Sequence, residues 1–224
     1  AYECFDINVM GTLNMVNAAR RKSVRQFIFS STEWVYDSFS DIPKEESSVI
    51  QIDNLNSEYA LSKVVSEQNL RQQYSRGFCP TTLLRLGIIY GPRKSNWSAV
   101  ENIFFSVAEK KRVEVGSLNT ARQFIHVVDV AKAIYSTLGL NGFVTVNIQG
   151  NRLVSLGEII KKSKEIWNVD PEVFESNPDT PSIRSVSTQL AQELLTWEPI
   201  IGLDDGLRSL REDKSVTLID DNLI

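Results

Sequence analysis

The stretch Phe27-Ile28-Phe29-Ser30-Ser31-Thr32 decides the fold, because an apolar run of strand length opens directly into hydroxyl side chains. This pattern is typical of a parallel α/β sheet, in which ligands bind outside the carboxyl ends of buried strands. Working outward, Thr82-Leu83-Leu84-Arg85-Leu86 predicts a second strand and residues 144–148 predict a third. Helical patterns separate these runs, so the sequence predicts an α/β fold with a mostly parallel sheet.

Two predicted helices flank the first strand. Residues 8–22 carry apolar side chains at helical spacing, with Asn8 as the predicted N-cap. Residues 59–76 predict a second helix, whose first turns carry Tyr59 and Lys63 on one face. Two unit charges about 4 Å apart interact by roughly 4 kcal/mol at an effective dielectric constant of about 20. We therefore expect Lys63 to lower the Tyr59 pKa by about three units. The same spacing also arises by chance in many helices.

The composition excludes several classes of protein. The net charge of -4 gives no basic surface for nucleic acid. No apolar run reaches the length of a membrane span. Two cysteines, Cys4 and Cys79, are too few for a disulfide framework, which favours a reducing, cytoplasmic location. No metal site is predicted.

Six short motifs follow one another along the chain. They are Asn8-Val9-Met10-Gly11-Thr12; Phe29-Ser30-Ser31-Thr32 with Val35-Tyr36; Tyr59-Ala60-Leu61-Ser62-Lys63; Leu84-Arg85 with Tyr90-Gly91-Pro92; Arg122-Gln123-Phe124-Ile125-His126-Val127-Val128-Asp129-Val130-Ala131; and Leu195-Thr196-Trp197-Glu198-Pro199. In this order they resemble the extended short-chain dehydrogenase/reductases of the NAD-dependent nucleotide-sugar epimerase/dehydratase type. The resemblance covers nearly the whole chain and implies a Rossmann-like, doubly wound sheet with a small C-terminal substrate-binding lobe.

The resemblance implies a catalytic triad. Tyr59 would be the acid/base, Lys63 would lower its pKa and hold the nicotinamide ribose, and Thr32 would bind the sugar oxygen that is oxidised. Further cofactor contacts would come from Asn8 and Gly87, and from the strand-end serines Ser30 and Ser31. The alternative for Thr32 is a strand-end hydroxyl that only caps backbone groups.

The substrate contacts implied by the resemblance are Thr32, Glu33, Arg122 and Arg184. Arg122 would bind the nucleotide-sugar phosphates, since a guanidinium suits bidentate phosphate recognition; the alternative is a surface cation. Arg184 is the weaker candidate, with a structural role as its alternative. His126, the single histidine, is interpreted as a packed strand residue and not as a base.

Departures from the family pattern bear on the reaction. Dehydratases of the 4,6 type have a glutamate two residues after the triad threonine, where this chain has Trp34. An indole cannot abstract a proton, so epimerisation is favoured over dehydration. Ile88 and Gln123 stand where the family often has asparagine and aspartate, which favours an altered mode of substrate binding.

The family's glycine-rich dinucleotide loop does not occur among the 11 glycines of the chain. With a start at Ala1, we expect the intact protein to contain about three further βα units of some 30 residues each. The predicted organisation is residues 1–92 as the C-terminal part of an NAD(P)-binding Rossmann domain, 93–211 as a substrate-binding lobe with returning Rossmann elements at about 120–150, and 212–224 as an acidic, irregular tail.

The sequence therefore predicts an NAD-dependent nucleotide-sugar epimerase, with NADP as the alternative cofactor. The hydride would leave the sugar while Tyr59 takes the hydroxyl proton, and would return to the opposite face of the rotated keto sugar. The alternatives are a reductase or dehydratase of the same family and a non-catalytic nucleotide-binding scaffold. The resemblance also implies a homodimer through helices 8–22 and 59–76, with no nucleic-acid or membrane partner.

Overall fold

The computed structural model describes residues 1–36, 42–94 and 98–220, with side chains described as far as residue 212. Its helices are α1 (Tyr2–Cys4), which passes through a π-helical segment (Phe5–Met10) into α2 (Gly11–Arg21), then α3 (Glu58–Ser75), α4 (Ala99–Glu109), α5 (Val127–Ser136), α6 (Leu156–Trp167), α7 (Gln189–Leu195) and α8 (Leu203–Asp220). Its strands are β1 (Phe27–Thr32), β2 (Thr81–Leu86), β3 (Ile89–Tyr90), β4 (Arg112–Val115), β5 (Ala121–Arg122), β6 (Ile125–His126), β7 (Phe143–Ile148), β8 (Val154–Ser155) and β9 (Glu172–Glu175). Short 3₁₀ turns occupy Glu33–Tyr36 and Ile52–Asn54.

The chain divides into two compact units, and the first comprises residues 1–87, 132–148 and 186–198. Its described strands form a parallel sheet in the order β1-β2-β7. The register pairs Phe27 with Thr81 and Thr81 with Phe143, so the three strands end level with one another. This confirms the predicted α/β fold with a parallel sheet. It also places the hydroxyl end of β1 at the carboxyl edge of the sheet, as the sequence indicated.

The core of the first unit joins α2 and α3 to one face of the sheet. Buried apolar side chains from these elements and from the loop before β2 pack together: Val16, Ala19, Phe29, Leu70, Phe78 and Leu83. All six residues of β2 are buried, which is expected for a strand with a neighbour on each side. The packing of α3 against α2 and the sheet therefore fixes its position along β1.

The second unit comprises residues 88–131, 149–185 and the segment from residue 199 onward. Its core gathers α4, α6 and α8 around large buried side chains that include Phe104, Ile159 and Leu207. Three short strand pairs complete it: β3 with β6 and β4 with β9, both parallel, and β5 with β8, antiparallel. The predicted assignment of residues 93–211 to a lobe with returning elements stays a prediction.

Four local expectations are wrong. Asn8 does not begin a helix, because the chain is already helical from Tyr2 and the Asn8 amide instead donates to Ser62 Oγ at 2.9 Å. The sequence predicts one strand over residues 122–127, but this stretch contributes to two short strands, β5 and β6, and Val127 begins α5. The proline-bearing segment 170–186, which the sequence predicts to be irregular, contains β9. The last helix continues to Asp220 into the tail expected to be irregular, and no glycine or proline after Gly206 interrupts it.

The capping box Ser155-Leu156-Gly157-Glu158 predicts a helix start, and Ser155 caps α6 by accepting a hydrogen bond from the Glu158 N–H. Ser57 caps α3 in the same way, by accepting from the Ala60 N–H. Among the described residues no helix combines the length and the apolar character that crossing a bilayer requires. Cys4 and Cys79 are both free thiols.

Candidate active site

The carboxyl end of β1 supplies the hydroxyl residues of the site. Thr32 is the last residue of the strand and is buried, and its Oγ1 accepts a hydrogen bond from the Trp34 N–H at 3.3 Å. This bond begins the 3₁₀ turn that follows the strand. Thr32 thus performs the strand-end capping that was the alternative to its catalytic role. Its hydroxyl also forms a hydrogen bond with the Tyr59 side chain.

Helix α3 supplies the tyrosine and the lysine. Tyr59 lies in its first turn and is 40% exposed. The Lys63 ammonium, one turn further on, lies 5.7 Å from the centroid of the Tyr59 ring and 4.9 Å from that of Phe29. It donates a hydrogen bond to the Ser30 carbonyl at 2.9 Å. The fold therefore brings together Thr32, Tyr59 and Lys63, which the sequence predicted to act as a triad.

The electrostatics differ from the sequence-based expectation. Burial raises the pKa of Tyr59, and the hydrogen bond with Thr32 only partly opposes it. Burial also lowers the pKa of Lys63, against the attraction of the Glu67 carboxylate. The expected lowering of the Tyr59 pKa is wrong for this arrangement, because the effect of burial outweighs the hydrogen bond that favours the phenolate.

The residues predicted to contact a cofactor are less uniform. Ser30 is exposed beside Lys63, whereas Ser31 is buried and donates its hydroxyl hydrogen to Glu67. The Gly87 N–H donates to the Ile148 carbonyl. Of the two backbone groups of Gly87, the carbonyl is therefore the one that a cofactor would contact. The Asn8 carbonyl accepts hydrogen bonds from Thr12 and Ser66, tying the π-helical segment to α3. Their contacts with a cofactor stay predictions.

The residues predicted to contact substrate lie in different surroundings. Glu33 is buried in the turn after β1, in the first unit. Arg122 and Arg184 belong to the second unit. The Arg122 guanidinium donates to the carbonyl and hydroxyl oxygens of Ser182. The backbone N–H of Arg184 donates to the Ala121 carbonyl. His126 is buried with its ring against Tyr90, as predicted for a packed strand residue.

Sequence reasoning missed a buried ionic network next to the triad. Glu67 accepts hydrogen bonds from Ser31 Oγ at 2.5 Å and from Arg85 Nη2 at 2.7 Å. Arg85 Nη1 donates to the Tyr36 hydroxyl, which donates to Asn147 Oδ1; both bonds are 2.8 Å long. One signal was available: an arginine inside an otherwise apolar strand requires a buried anion.

Comparisons with known proteins agree with this arrangement. The model of the NAD dependent epimerase/dehydratase family matches residues 1–148. A putative UDP-glucose 4-epimerase of Methanocaldococcus jannaschii is 29% identical over 210 residues, which cover 91% of this chain and 67% of that protein. UDP-glucuronic acid decarboxylase 3 of Arabidopsis thaliana is 27% identical over 213 residues, which cover 92% and 62%.

Solved structures give the same fold. The UDP-glucose 4-epimerase of Thermotoga maritima with UDP-glucose superimposes with a TM-score of 0.84 at 25% identity, covering 96% of this chain and 71% of that one. RMD from Pseudomonas aeruginosa complexed with NADPH gives a TM-score of 0.85 at 22% identity, covering 95% and 73%. The chain spans about two thirds of the length of the curated relatives, 67% and 62% for the two named above.

Proposed function

We propose that this chain, which belongs to the NAD dependent epimerase/dehydratase family, forms part of an NAD(P)-dependent epimerase that acts on a nucleotide sugar. The observation that carries the proposal is the meeting of Thr32, Tyr59 and Lys63 at the carboxyl end of β1. Family membership supports the reaction class, since relatives of this chain are named as UDP-sugar epimerases and decarboxylases.

The residues present suit the nicotinamide end of the cofactor. The Lys63 ammonium has three N–H donors and gives one of them to the Ser30 carbonyl, so its remaining donors suit the hydroxyl groups of a ribose. Ser30 is exposed next to that ammonium, and the centroid of the Tyr59 ring lies 5.7 Å from it. NAD, when bound, supplies a nicotinamide that accepts and returns a hydride.

Tyr59 would move the proton. Its phenolate form would take the proton of the sugar hydroxyl that is oxidised, and its phenol form would give it back. Thr32 would orient the same sugar oxygen and, through its hydrogen bond, favours the phenolate against the effect of burial. Because burial raises the Tyr59 pKa, proton abstraction is expected to become faster as the pH rises above neutrality.

The turn after β1 supports epimerisation over 4,6-dehydration. Trp34 lies in this turn, 38% exposed, at the position where 4,6-dehydratases carry a carboxylate base. Its indole has no group that can take a carbon-bound proton. The neighbouring Glu33 is 1% exposed, so its carboxylate belongs to the protein interior.

The substrate contacts remain proposals. We propose that Arg122 and Arg184 recognise the phosphates of the nucleotide, as guanidinium groups do in bidentate pairs. A homodimer through α2 and α3 and a cytoplasmic location are further proposals. The test of the Arg122 proposal is Arg122→Lys in the natural protein, which should raise KM for the nucleotide sugar more than it lowers kcat.

The replacement Tyr59→Phe tests the assignment of the reaction. It removes the hydroxyl and keeps the ring, and loss of a general acid/base lowers the rate by about 10²- to 10⁴-fold. Tyr135→Phe, on an exposed tyrosine of α5, is the matched control and should leave turnover unchanged. Turnover of nucleotide sugars by Tyr59→Phe at the natural rate would overturn the proposal.

The products distinguish the alternatives. With a panel of nucleotide sugars and NAD, an epimerase forms a stereoisomer with no net production of NADH. With NADH supplied in place of NAD, a reductase instead consumes the reduced cofactor in proportion to product. Binding of NAD and sugar with neither turnover nor exchange of isotope would instead favour a non-catalytic scaffold.

A further inference from the structure

Glu67 is a buried carboxylate one helical turn beyond Lys63. Glu67 is 2% exposed, and its carboxylate oxygens accept hydrogen bonds from two strands of the sheet. Ser31 Oγ of β1 donates to Oε1 at 2.5 Å. Arg85 of β2 donates from Nε to Oε1 at 3.1 Å and from Nη2 to Oε2 at 2.7 Å. Glu67 therefore joins α3 to two adjacent strands at one point.

The contacts between β1 and α3 form a set in which Glu67 is the innermost member. Tyr59, Lys63 and Glu67 lie at intervals of four residues, on one face of the helix. They meet three consecutive residues of the strand: Tyr59 bonds with Thr32, Lys63 with the Ser30 carbonyl and Glu67 with Ser31. Ser31 is 3% exposed, so this contact lies in the interior, whereas Tyr59 is 40% exposed.

The charges around Glu67 are also ordered. The Arg85 guanidinium faces the carboxylate from β2, and the Tyr36 hydroxyl faces that guanidinium from the turn after β1. The Lys63 ammonium is attracted by the same carboxylate and lies over the rings of Phe29 and Tyr59. Removal of the Glu67 charge would remove the attraction that opposes the effect of burial, which disfavours the protonated form of Lys63.

We propose that Glu67 is a positioning residue of the candidate active site, which holds α3 against β1 so that Tyr59 meets Thr32 and the Lys63 ammonium meets the Ser30 carbonyl. The proposal rests on the proposed function only in that Tyr59 and Lys63 are its acid/base and cofactor-binding residues. It assigns no chemical step to Glu67.

The replacement Glu67→Gln in the natural protein tests the effect on Lys63. The readout is the Lys63 pKa, from the pH dependence of acetic-anhydride labelling followed by mass spectrometry, with no cofactor or substrate added. We expect the Lys63 pKa to decrease, since the attraction of an opposite charge nearby favours the protonated form of a lysine. Glu101→Gln is the matched control, because Glu101 also pairs with an arginine at 2.7 Å and its side chain is 1% exposed.

Both replacements are expected to lower Tm, but only Glu67→Gln should move the Lys63 pKa. An unchanged Lys63 pKa in a folded Glu67→Gln protein would show that Glu67 is merely structural and would overturn the proposal. Glu67→Asp, which keeps the charge, should restore most of the Lys63 pKa.

If Glu67→Gln does not fold, a milder variant tests the positioning role of Glu67. Ser31→Ala removes only the hydroxyl that ties Glu67 to β1. We expect the backbone amides around Lys63 to exchange about tenfold faster with deuterium, as local opening becomes easier. Ser163→Ala, which deletes an equally buried hydroxyl in α6, should leave those amides unchanged. Equal exchange in both variants would refute the positioning role.

These readouts are independent of turnover. If Tyr59→Phe retained full activity, the proposed function would fail while the Lys63 pKa and the exchange rates could still behave as expected. If the Lys63 pKa and the exchange rates did not respond, the positioning role would fail while Tyr59 remained the acid/base.

Discussion

Replacing Arg85 by methionine should destabilise the protein strongly, because it leaves a buried carboxylate without its cation. The two side chains of the Arg85–Glu67 pair are 6% and 3% exposed, and Nη2 lies 2.7 Å from Oε2. Their gross attraction is about 6 kcal/mol at an effective dielectric constant of about 20. Removal of one partner from a buried pair costs about 3–5 kcal/mol, since desolvation of the remaining charge is no longer compensated. We expect a loss near the middle of that range.

The double replacement Arg85→Met/Glu67→Leu should cost less than Arg85→Met alone. It removes both charges, and apolar side chains of similar volume often substitute for a buried pair at little cost. The hydroxyl groups of Ser31 and Tyr36 lose partners, which we expect to cost about 1–3 kcal/mol in total. The interaction free energy of the cycle should therefore be at least about 1 kcal/mol in favour of the pair.

Arg208→Met is the matched control for distance. Arg208 Nε also lies 2.7 Å from a carboxylate, that of Asp204, but the two side chains are 56% and 42% exposed. Water and salt screen such a pair, so its loss should leave the free energy of unfolding within experimental error. The assay is urea unfolding followed by tryptophan fluorescence and circular dichroism, with equal m-values required for the comparison.

Two results would refute this reasoning. Unfolding of Arg85→Met at the same urea concentration as the natural protein would mean that the Glu67 carboxylate is not desolvated. Alternatively, Arg208→Met could cost as much as Arg85→Met, which would show that the distance and not the burial sets the energy.

Three other predictions follow from single contacts. Thr32→Val removes a hydrogen bond that lowers the Tyr59 pKa. Since such a bond contributes about 1 kcal/mol, kcat/KM at pH 8 should fall about fivefold. The rising part of the curve of kcat/KM against pH should move to higher pH. Burial lowers the pKa of His126, so the imidazole binds a proton more readily in the unfolded chain than in the folded protein. The free energy of unfolding should therefore decrease as the pH falls through about 6.5. His126→Gln should flatten that part of the curve of stability against pH. Gly206→Ala would place a Cβ 2.1 Å from the Tyr90 hydroxyl oxygen. We therefore expect the free energy of unfolding in urea to fall by about 1–3 kcal/mol, despite the better helix propensity of alanine, and the additional replacement Tyr90→Phe to reduce this loss. Unchanged stability of Gly206→Ala would show that Tyr90 moves freely.

The larger elements of the fold could be predicted because their signals are local. The apolar run of β2, Thr81–Leu86, and the capping residue Ser155 mark a strand and a helix start within a few residues of chain. By contrast, β9 was missed because Glu172–Glu175 alternates in exposure and becomes a strand only by pairing with β4, far away in the sequence. Asn8 was misassigned for a similar reason, since its side chain satisfies Ser62 in another helix.

The candidate site was predictable as a set of residues but not as a set of energies. The sequence by itself determined that Thr32 ends a strand, and that Tyr59 and Lys63 share a helix face, because periodicity fixes both facts. Only the tertiary structure decided the pKa directions, because burial depends on how α3 packs on the sheet. It also decided that Glu67 and Arg85 form a buried pair next to the triad. An ion pair across two elements leaves no local pattern, and its free energy depends on exclusion of water, which exists only once the helix and the sheet are in contact.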